Sequence, residues 1–331
     1  MAKPKVVITN WIHEDIAQQL DPVAEIVANK DRRRGFTHAE ILKWAPDAVG
    51  LVTFMTDHVH ADFLDQLPNL KIISCALRGY DNFDVAACHA RGITLTHVPD
   101  LLQGPTAELT IGLMIGLGRH MGPGDRFVRS GDFAGWRPQF YGRSLAESTV
   151  GFVGFGELAK AIAQRLKAFG SSMIYHDVER LSSQEETAFE ASYRPFSQLL
   201  SACDFVVLTV PLTSDTAHLI GRREIDKMRA DAILINPARG SIVDEEAVCD
   251  ALNRGRLGGY AADVFACEDW ALPNKPKTIP AGLLHQTDRT QFTPHLGSAV
   301  ESVRRGIAQM AVDNVIAVLE GREPDGLIEG P

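Results

Sequence analysis

Residues 149–169 read TVGFVGFGELAKAIAQRLKAF, and this stretch decides the fold. TVGFVG is an apolar run of strand length. ELAKAIAQRLKAFG (157–170) follows with helical spacing. Between them stands Gly154-Phe155-Gly156-Glu157-Leu158-Ala159. Gly154 allows the tight turn from strand to helix, and Gly156 lets the backbone approach a pyrophosphate. Ala159, in place of a third glycine, still keeps strand and helix close. The start of the helix offers free N–H groups and the positive end of its dipole to phosphate. A second apolar strand, SMIYHD (172–177), ends in Asp177, 21 residues after Gly156. A carboxylate there accepts bonds from ribose hydroxyls and repels a 2′-phosphate, which favours NAD over NADP. Glu179 adds negative charge, and Arg180 is the nearby basic residue.

Outward from this stretch the same alternation repeats. FVVLTV (205–210), AILIN (232–236) and GGYAAD (258–263) read as further strands, and the series closes near FTPHLG (292–297). The first hundred residues hold a separate series: KVVIT (5–9), AVGLVTF (48–54), KIISC (71–75) and ITLTH (93–97). Helix-period segments such as HAEILKWA and HADFLDQL lie between them. Two strand–helix series imply an α/β chain with parallel sheets covered by helices. TAELTIGLMIGLGRHM (106–121) has no polar face and reads as a buried helix, within the chain or across a subunit interface. Residues 122–148, rich in Gly, Arg and aromatics, read as an arm. Residues 298–321 read as one long helix and EPDGLIEGP as a loose tail.

Composition sets the outer limits. The chain has 331 residues, which is long for one core and comfortable for two domains. A net charge of −9 argues against a general nucleic-acid binder. It leaves room for a local cationic pocket for an anion. Cys75, Cys88, Cys203, Cys249 and Cys267 form no CxxC pair or zinc spacing and read as buried apolar groups in a reducing compartment. The N-terminus lacks the pattern of a signal peptide and no apolar stretch reaches about 20 residues, so the expectation is a cytoplasmic chain with no membrane or nucleic-acid partner and no metal.

Three polar residues stand at predicted strand ends, where ligands bind in open α/β sheets. They are Arg239 after AILINPA, Glu268 after GGYAADVFAC, and His295 after FTP. Singly, each has an ordinary reading: a solvated cation, a surface carboxylate, a satisfied histidine. Together, beyond a nucleotide motif, they suit hydride transfer from a small anion. Arg is an always-charged fork for the anion. His accepts the proton near neutral pH. A carboxylate beside it fixes the tautomer and stabilises the imidazolium.

Over nearly its whole length the chain resembles the D-isomer-specific 2-hydroxyacid dehydrogenase superfamily. The Gly-x-Gly turn, NPARGSIVDEEAV (236–248), GYAADVF (259–265) and TPHLGSA (293–299) carry the likeness. The resemblance implies a catalytic trio of Arg239, Glu268 and His295. It implies a doubly wound Rossmann NAD-binding domain, about 101–296 with a dimerisation helix and arm, inserted into a flavodoxin-like substrate domain of residues 1–100 and 297–331. It also implies a homodimer, and it extends the cofactor set to Thr106, Phe155, Glu157, Leu158, Val178, Pro211, Thr216, Pro237, Ala238, Asp263 and Gly297.

A narrower similarity is to phosphite (phosphonate) dehydrogenases. It rests on CALRGYDNFDV (75–85), THVPDLLQGPTAELTIGL (96–113), GWRPQFYG (135–142), AADVFACEDWA (261–271) and TPHLGSAVESVR (293–304). It implies oxidation of phosphite to phosphate, with water attacking phosphorus as hydride leaves for nicotinamide. It assigns the substrate pocket to Arg78, Gly79, Met55, Leu102, Trp136, Tyr141 and Arg304, with Trp136 and Tyr141 coming from the second subunit. Met55 also reads as core filler, Trp136 and Tyr141 as interface packing, and Arg304 as a solvated charge. Those enzymes typically have Lys where this chain has Arg78. Arg stays charged, which gives position 78 an electrostatic role and leaves His295 as the base. Arg78 equally suits the carboxylate of a 2-hydroxy acid. A D-2-hydroxyacid dehydrogenase or glyoxylate/hydroxypyruvate reductase is therefore the alternative, and a non-catalytic NAD-sensing protein a third.

Overall fold

A computed structural model of the chain describes residues 2–272 and 274–330. The chain divides into two compact units. One runs to Leu102 and resumes at Ala299; the other runs from Gln103 to Ser298. The corresponding limits expected from the sequence are 101 and 296.

The first unit holds a five-stranded sheet of β1 (Lys5–Ile8), β2 (Glu25–Ala28), β3 (Ala48–Thr53), β4 (Ile72–Cys75) and β5 (Thr94–Thr96). The order is β2-β1-β3-β4-β5 and every pairing is parallel. Strand order reverses beside β1, the flavodoxin-like arrangement. β4 is buried along its whole length, as a sheet covered on both faces requires. The long C-terminal helix Glu301–Leu319 lays Ile307, Ala311, Val312 and Val315 on a core with Val6, Ile8, Val52 and Ile72.

The second unit holds a seven-stranded parallel sheet. Its strands are β6 (Thr149–Val153), β7 (Ser172–His176), β8 (Ala191–Tyr193), β9 (Phe205–Leu208), β10 (Ile233–Asn236), β11 (Gly259–Ala262) and β12 (Thr290–Phe292). The order is β12-β11-β10-β9-β6-β7-β8. β6 pairs with β7 on one side, Val150 facing Met173, and with β9 on the other, Val150 facing Phe205. The doubly wound switch point therefore falls at β6, where the Gly-x-Gly turn begins.

Helix Gln103–Gly118 is buried in its own unit, with Ala107, Ile111, Met114 and Leu117 packed among Val150, Phe152 and Ile162. Two expectations change. The arm begins with a further helix, Met121–Arg129, hidden in the sequence by Gly122, Pro123 and Gly124, and none of its residues is buried. The C-terminal tail is not loose through its middle. Thr96 bridges Leu327 in antiparallel fashion, the Ile328 N–H donates to the Leu95 carbonyl at 2.8 Å, and Ile328 is buried. No helix among the described residues is long and apolar enough to cross a membrane.

Candidate active site

The nucleotide turn is built as its residue types require. Gly154 has φ +87°, and a Cβ there would lie 2.7 Å from Val210 Cγ1 and 3.0 Å from the Thr209 carbonyl carbon. Both conformation and space demand glycine. A Cβ at Gly156 would meet nothing within 4 Å, so this position opens onto free space. Helix Glu157–Leu166 follows, and no side chain caps its first N–H groups. Asp177, at the end of β7, accepts from the Phe155 N–H at 2.6 Å through Oδ2, while Oδ1 receives the Glu179 N–H at 3.3 Å. That longer bond leaves acceptor capacity on Oδ1. Val178 beside it is 98% exposed. Leu158 is partly buried against the core of this unit. Beyond β9, Thr216 Oγ1 donates to the Pro211 carbonyl at 2.6 Å and closes that loop. An open glycine, uncapped amides and an acidic strand end fit a dinucleotide.

The chemical residues follow successive strands of the same unit. After β10, the Asn236 side chain accepts from the Ala238 N–H at 3.1 Å and donates to the Arg239 carbonyl at 2.8 Å, tying Pro237, Ala238 and Arg239 into a turn. After β11 comes the short 3-10 turn Ala266–Glu268. After β12, His295 sits at φ +56°, a conformation uncommon outside glycine that is held only where surroundings impose it.

Asp263 imposes it. Its side chain takes Thr293 Oγ1 at 2.6 Å, the Leu296 N–H at 2.6 Å and the Gly297 N–H at 2.8 Å. Its carbonyl takes the His295 N–H at 2.8 Å. Asp263, which is expected to touch the cofactor, is 1% exposed, and its side chain anchors the loop that carries His295. Its place after an apolar strand gave no way to tell these roles apart. Gly297 is shut in as well: a Cβ there would lie 2.9 Å from Thr106 Oγ1.

His295 and Glu268 meet. The imidazole Nδ1 and the carboxylate Oε2 are 2.8 Å apart, and each side chain is about one-third exposed. The other Glu268 oxygen receives the Phe265 N–H at 2.9 Å. Burial pushes the Glu268 carboxyl up, but the His295 bond and charge, the Phe265 N–H and the Arg239 charge outweigh it and hold it below the usual carboxylate value. An ionised Glu268 accepts from Nδ1–H and leaves Nε2 to exchange a proton with a substrate. Arg239 donates to the Ala238 carbonyl at 2.9 Å and stays partly exposed.

The expected pocket residues fall in two places. In the first unit, Met55 and Leu102 are half-buried against its cores. Arg78 and Gly79 follow β4 and are half-buried, and Arg78 Nη1 is a buried donor with no hydrogen-bond partner. Arg304 lies in the first turn of the C-terminal helix, its guanidinium carbon 5.9 Å from the Phe54 ring centre, and burial lowers its pKa. In the second unit, Trp136 and Tyr141 are 77% and 78% exposed on the arm.

The chain and its fold have counterparts among known proteins. The model described as "D-isomer specific 2-hydroxyacid dehydrogenase, NAD binding domain" matches residues 111–297. The glyoxylate reductase of Thermofilum pendens is 36% identical over 330 residues, which is 99% of this chain and 95% of that one. A solved NADPH-dependent glyoxylate/hydroxypyruvate reductase from Sinorhizobium meliloti, in complex with NADP and malonate, superposes with TM-score 0.85 at 28% identity, covering 99% of this chain and 97% of that one. D-lactate dehydrogenase from Aquifex aeolicus, complexed with NAD and lactic acid, gives TM-score 0.85 at 25% identity, covering 98% and 99%. The chain therefore belongs to the D-isomer specific 2-hydroxyacid dehydrogenase family and carries its NAD-binding domain.

Proposed function

We propose that the protein interconverts a small 2-hydroxy acid and its 2-oxo acid with NAD, in the size class of glyoxylate and hydroxypyruvate. One observation carries this reading: the 2.8 Å His295–Glu268 pair within reach of the Arg239 charge. The relatives named glyoxylate reductase support the substrate class. When bound, nicotinamide supplies or accepts the hydride at substrate C2. Arg239 holds the substrate carboxylate and orients C2. His295 Nε2 takes the hydroxyl proton in oxidation and returns it in reduction, and ionised Glu268 stabilises the imidazolium. Asp177 selects NAD by meeting the ribose hydroxyls and repelling a 2′-phosphate. Trp136 and Tyr141, exposed on an arm that leaves Met121, Val128 and Phe133 exposed too, form the interface of a homodimer.

A second reading, phosphite oxidation, is favoured by a specific observation in the first unit. Arg78 keeps a buried guanidinium nitrogen without a hydrogen-bond partner, and Arg304 is a second largely desolvated cation. Two such cations suit a dianion. In this reading His295 takes a proton from the water that attacks phosphorus, and the P–H electron pair leaves as hydride. One preparation decides between them: glyoxylate and hydroxypyruvate with NADH, against phosphite with NAD. Turnover of a 2-oxo acid alone supports the first reading. Equimolar NADH and phosphate from phosphite, without 2-oxo acid turnover, replaces it with the second.

A further inference from the structure

Arg239 and Glu268 stand on two turns that come from different strands, and two buried carboxylates tie those turns together. Glu245 begins the helix Glu245–Asn253 that follows Arg239 in sequence. Its Oε1 crosses over to accept the Ala266 N–H at 2.9 Å, in the 3-10 turn that ends in Glu268. Asp269 immediately follows Glu268. Its Oδ2 crosses in the opposite direction to accept the Ser241 N–H at 2.7 Å, two residues after Arg239. Each turn thus donates one backbone N–H to a carboxylate of the other.

Packing leaves the bonds no slack. A Cβ at Gly240 would lie 1.9 Å from the Phe265 carbonyl carbon and 2.0 Å from the Ala266 nitrogen, so the two backbones are in direct contact. Glu245 and Asp269 are 5% and 1% exposed. Both side chains are shut away from solvent, as groups that act through their neighbours are.

We propose that Glu245 and Asp269 form a reciprocal brace that sets the spacing of Arg239 and Glu268, and through Glu268 the orientation of His295. They are positioning residues, and the proposal rests on the reading that Arg239, Glu268 and His295 perform the hydride-transfer chemistry. The surroundings of Glu245 favour its neutral form. Burial pushes its carboxyl up to about 7, and the charges of Asp269, Glu268 and Glu246 add to the rise, while the Ala266 N–H opposes it. Its second oxygen is buried without an acceptor or donor opposite, which suits a protonated carboxyl better than a second buried anion beside Asp269. A neutral amide of the same shape keeps the acceptor that Ala266 needs.

The test compares Glu245→Ala, Asp269→Ala and Glu245→Gln with the unaltered protein in steady-state kinetics and amide hydrogen exchange. Each alanine variant is expected to lower kcat by about 10- to 100-fold, the scale of a misplaced catalytic group, with KM for NADH within about 2-fold. Glu245→Gln is expected to restore kcat to within about 3-fold, which a general loss of folding would not allow. Exchange at Ala266 should rise in Glu245→Ala, and exchange at Ser241 in Asp269→Ala. Unchanged kcat in both alanine variants, a Gln variant as impaired as Ala, or unmoved exchange at both amides overturns the brace. If the unaltered protein turns over neither 2-oxo acids nor phosphite, the functional reading fails, and the exchange measurement still decides the brace alone.

Discussion

In the second unit three buried acidic side chains accept backbone N–H groups of neighbouring loops, whereas two cations of the first unit, Arg78 and Arg304, are half-buried. Asp263 takes two loop amides and a hydroxyl, Asp269 takes Ser241, and Glu245 takes Ala266. In the first unit Arg78 buries one nitrogen without a partner, and burial lowers the Arg304 pKa. The difference separates two jobs. A buried carboxyl that accepts backbone N–H groups of a neighbouring loop is a structural clamp: it fixes the loops that carry Arg239, Glu268 and His295. A buried cation with an unused donor carries a desolvation cost that an arriving anion relieves. Under the proposed function, the clamps hold the loops of the proton-transfer residues, and the first-unit cations are tested as groups for anion recognition.

The largest break in this comparison is expected at its centre. His295→Ala should lower kcat by about 10³-fold, the scale of general acid–base catalysis, while NADH binding by fluorescence titration changes by less than about 2-fold. Equal loss of NADH affinity would mean that the residue shapes the nucleotide site rather than the chemistry. Next comes the clamp. Asp263→Ala leaves two amides and a hydroxyl without their acceptor and releases a histidine held at positive φ. It should lower kcat by about 10²-fold and lower the melting temperature as well, since buried donors lose their partner. A variant with normal activity would show that the His295 loop holds itself.

Arg78→Ala tests the other side. It should raise KM for the anionic substrate by roughly 10- to 50-fold with a smaller change in kcat, the pattern of lost ground-state charge recognition. Arg78→Lys should recover part of this, because a point charge replaces a planar fork. If neither variant moves KM, the first-unit cations serve packing alone. Asp177→Ser is expected to shift the NAD:NADP ratio of kcat/KM toward NADP by roughly 10-fold, without altering the pH dependence of turnover.

The smallest effect concerns the exception in the first unit. Asp57 is a buried carboxyl accepting the Thr9 hydroxyl and the Phe54 N–H, and burial pushes it up to about 6. A carboxyl whose folded-state pKa is raised binds more protons folded than unfolded. Its contribution is full below about 4, is lost as pH rises toward 6, and is constant above. Asp57→Asn should therefore gain stability relative to the parent across that window, by on the order of 2 kcal/mol, and show no further gain at higher pH in chemical denaturation. A gap independent of pH would place the Asp57 charge elsewhere than in the fold.

Much of this was legible in the chain itself. The central strands announce themselves as apolar runs, because a parallel sheet covered on both faces admits little else. The strands without an assigned run, β2, β8 and β12, are all sheet edges. EIVA is half-exposed, and ASY and TQF are three residues long. Edge strands are short and need no continuous apolar face, so periodicity passes over them. At the site, Gly154, Asp177, Arg239, Glu268 and His295 were readable because each stands where a strand ends. The clamps were not. Asp263, Asp269 and Glu245 are acidic residues of ordinary appearance, and only the path of the backbone shows which amides they hold. The tail was misread for the same reason: Leu327-Ile328 is an apolar step of two residues among Gly, Glu and Asp, and the burial of Ile328 depends on an edge strand more than 230 positions away (328 against 95).

The most direct test of the central claim is the rate of NADH oxidation with glyoxylate and hydroxypyruvate, measured on the unaltered protein and on His295→Ala at the same cofactor saturation. The account predicts turnover of at least one of these acids, lost by about 10³-fold in the variant with NADH still bound. No turnover of either acid, or a variant as active as its parent, would contradict it.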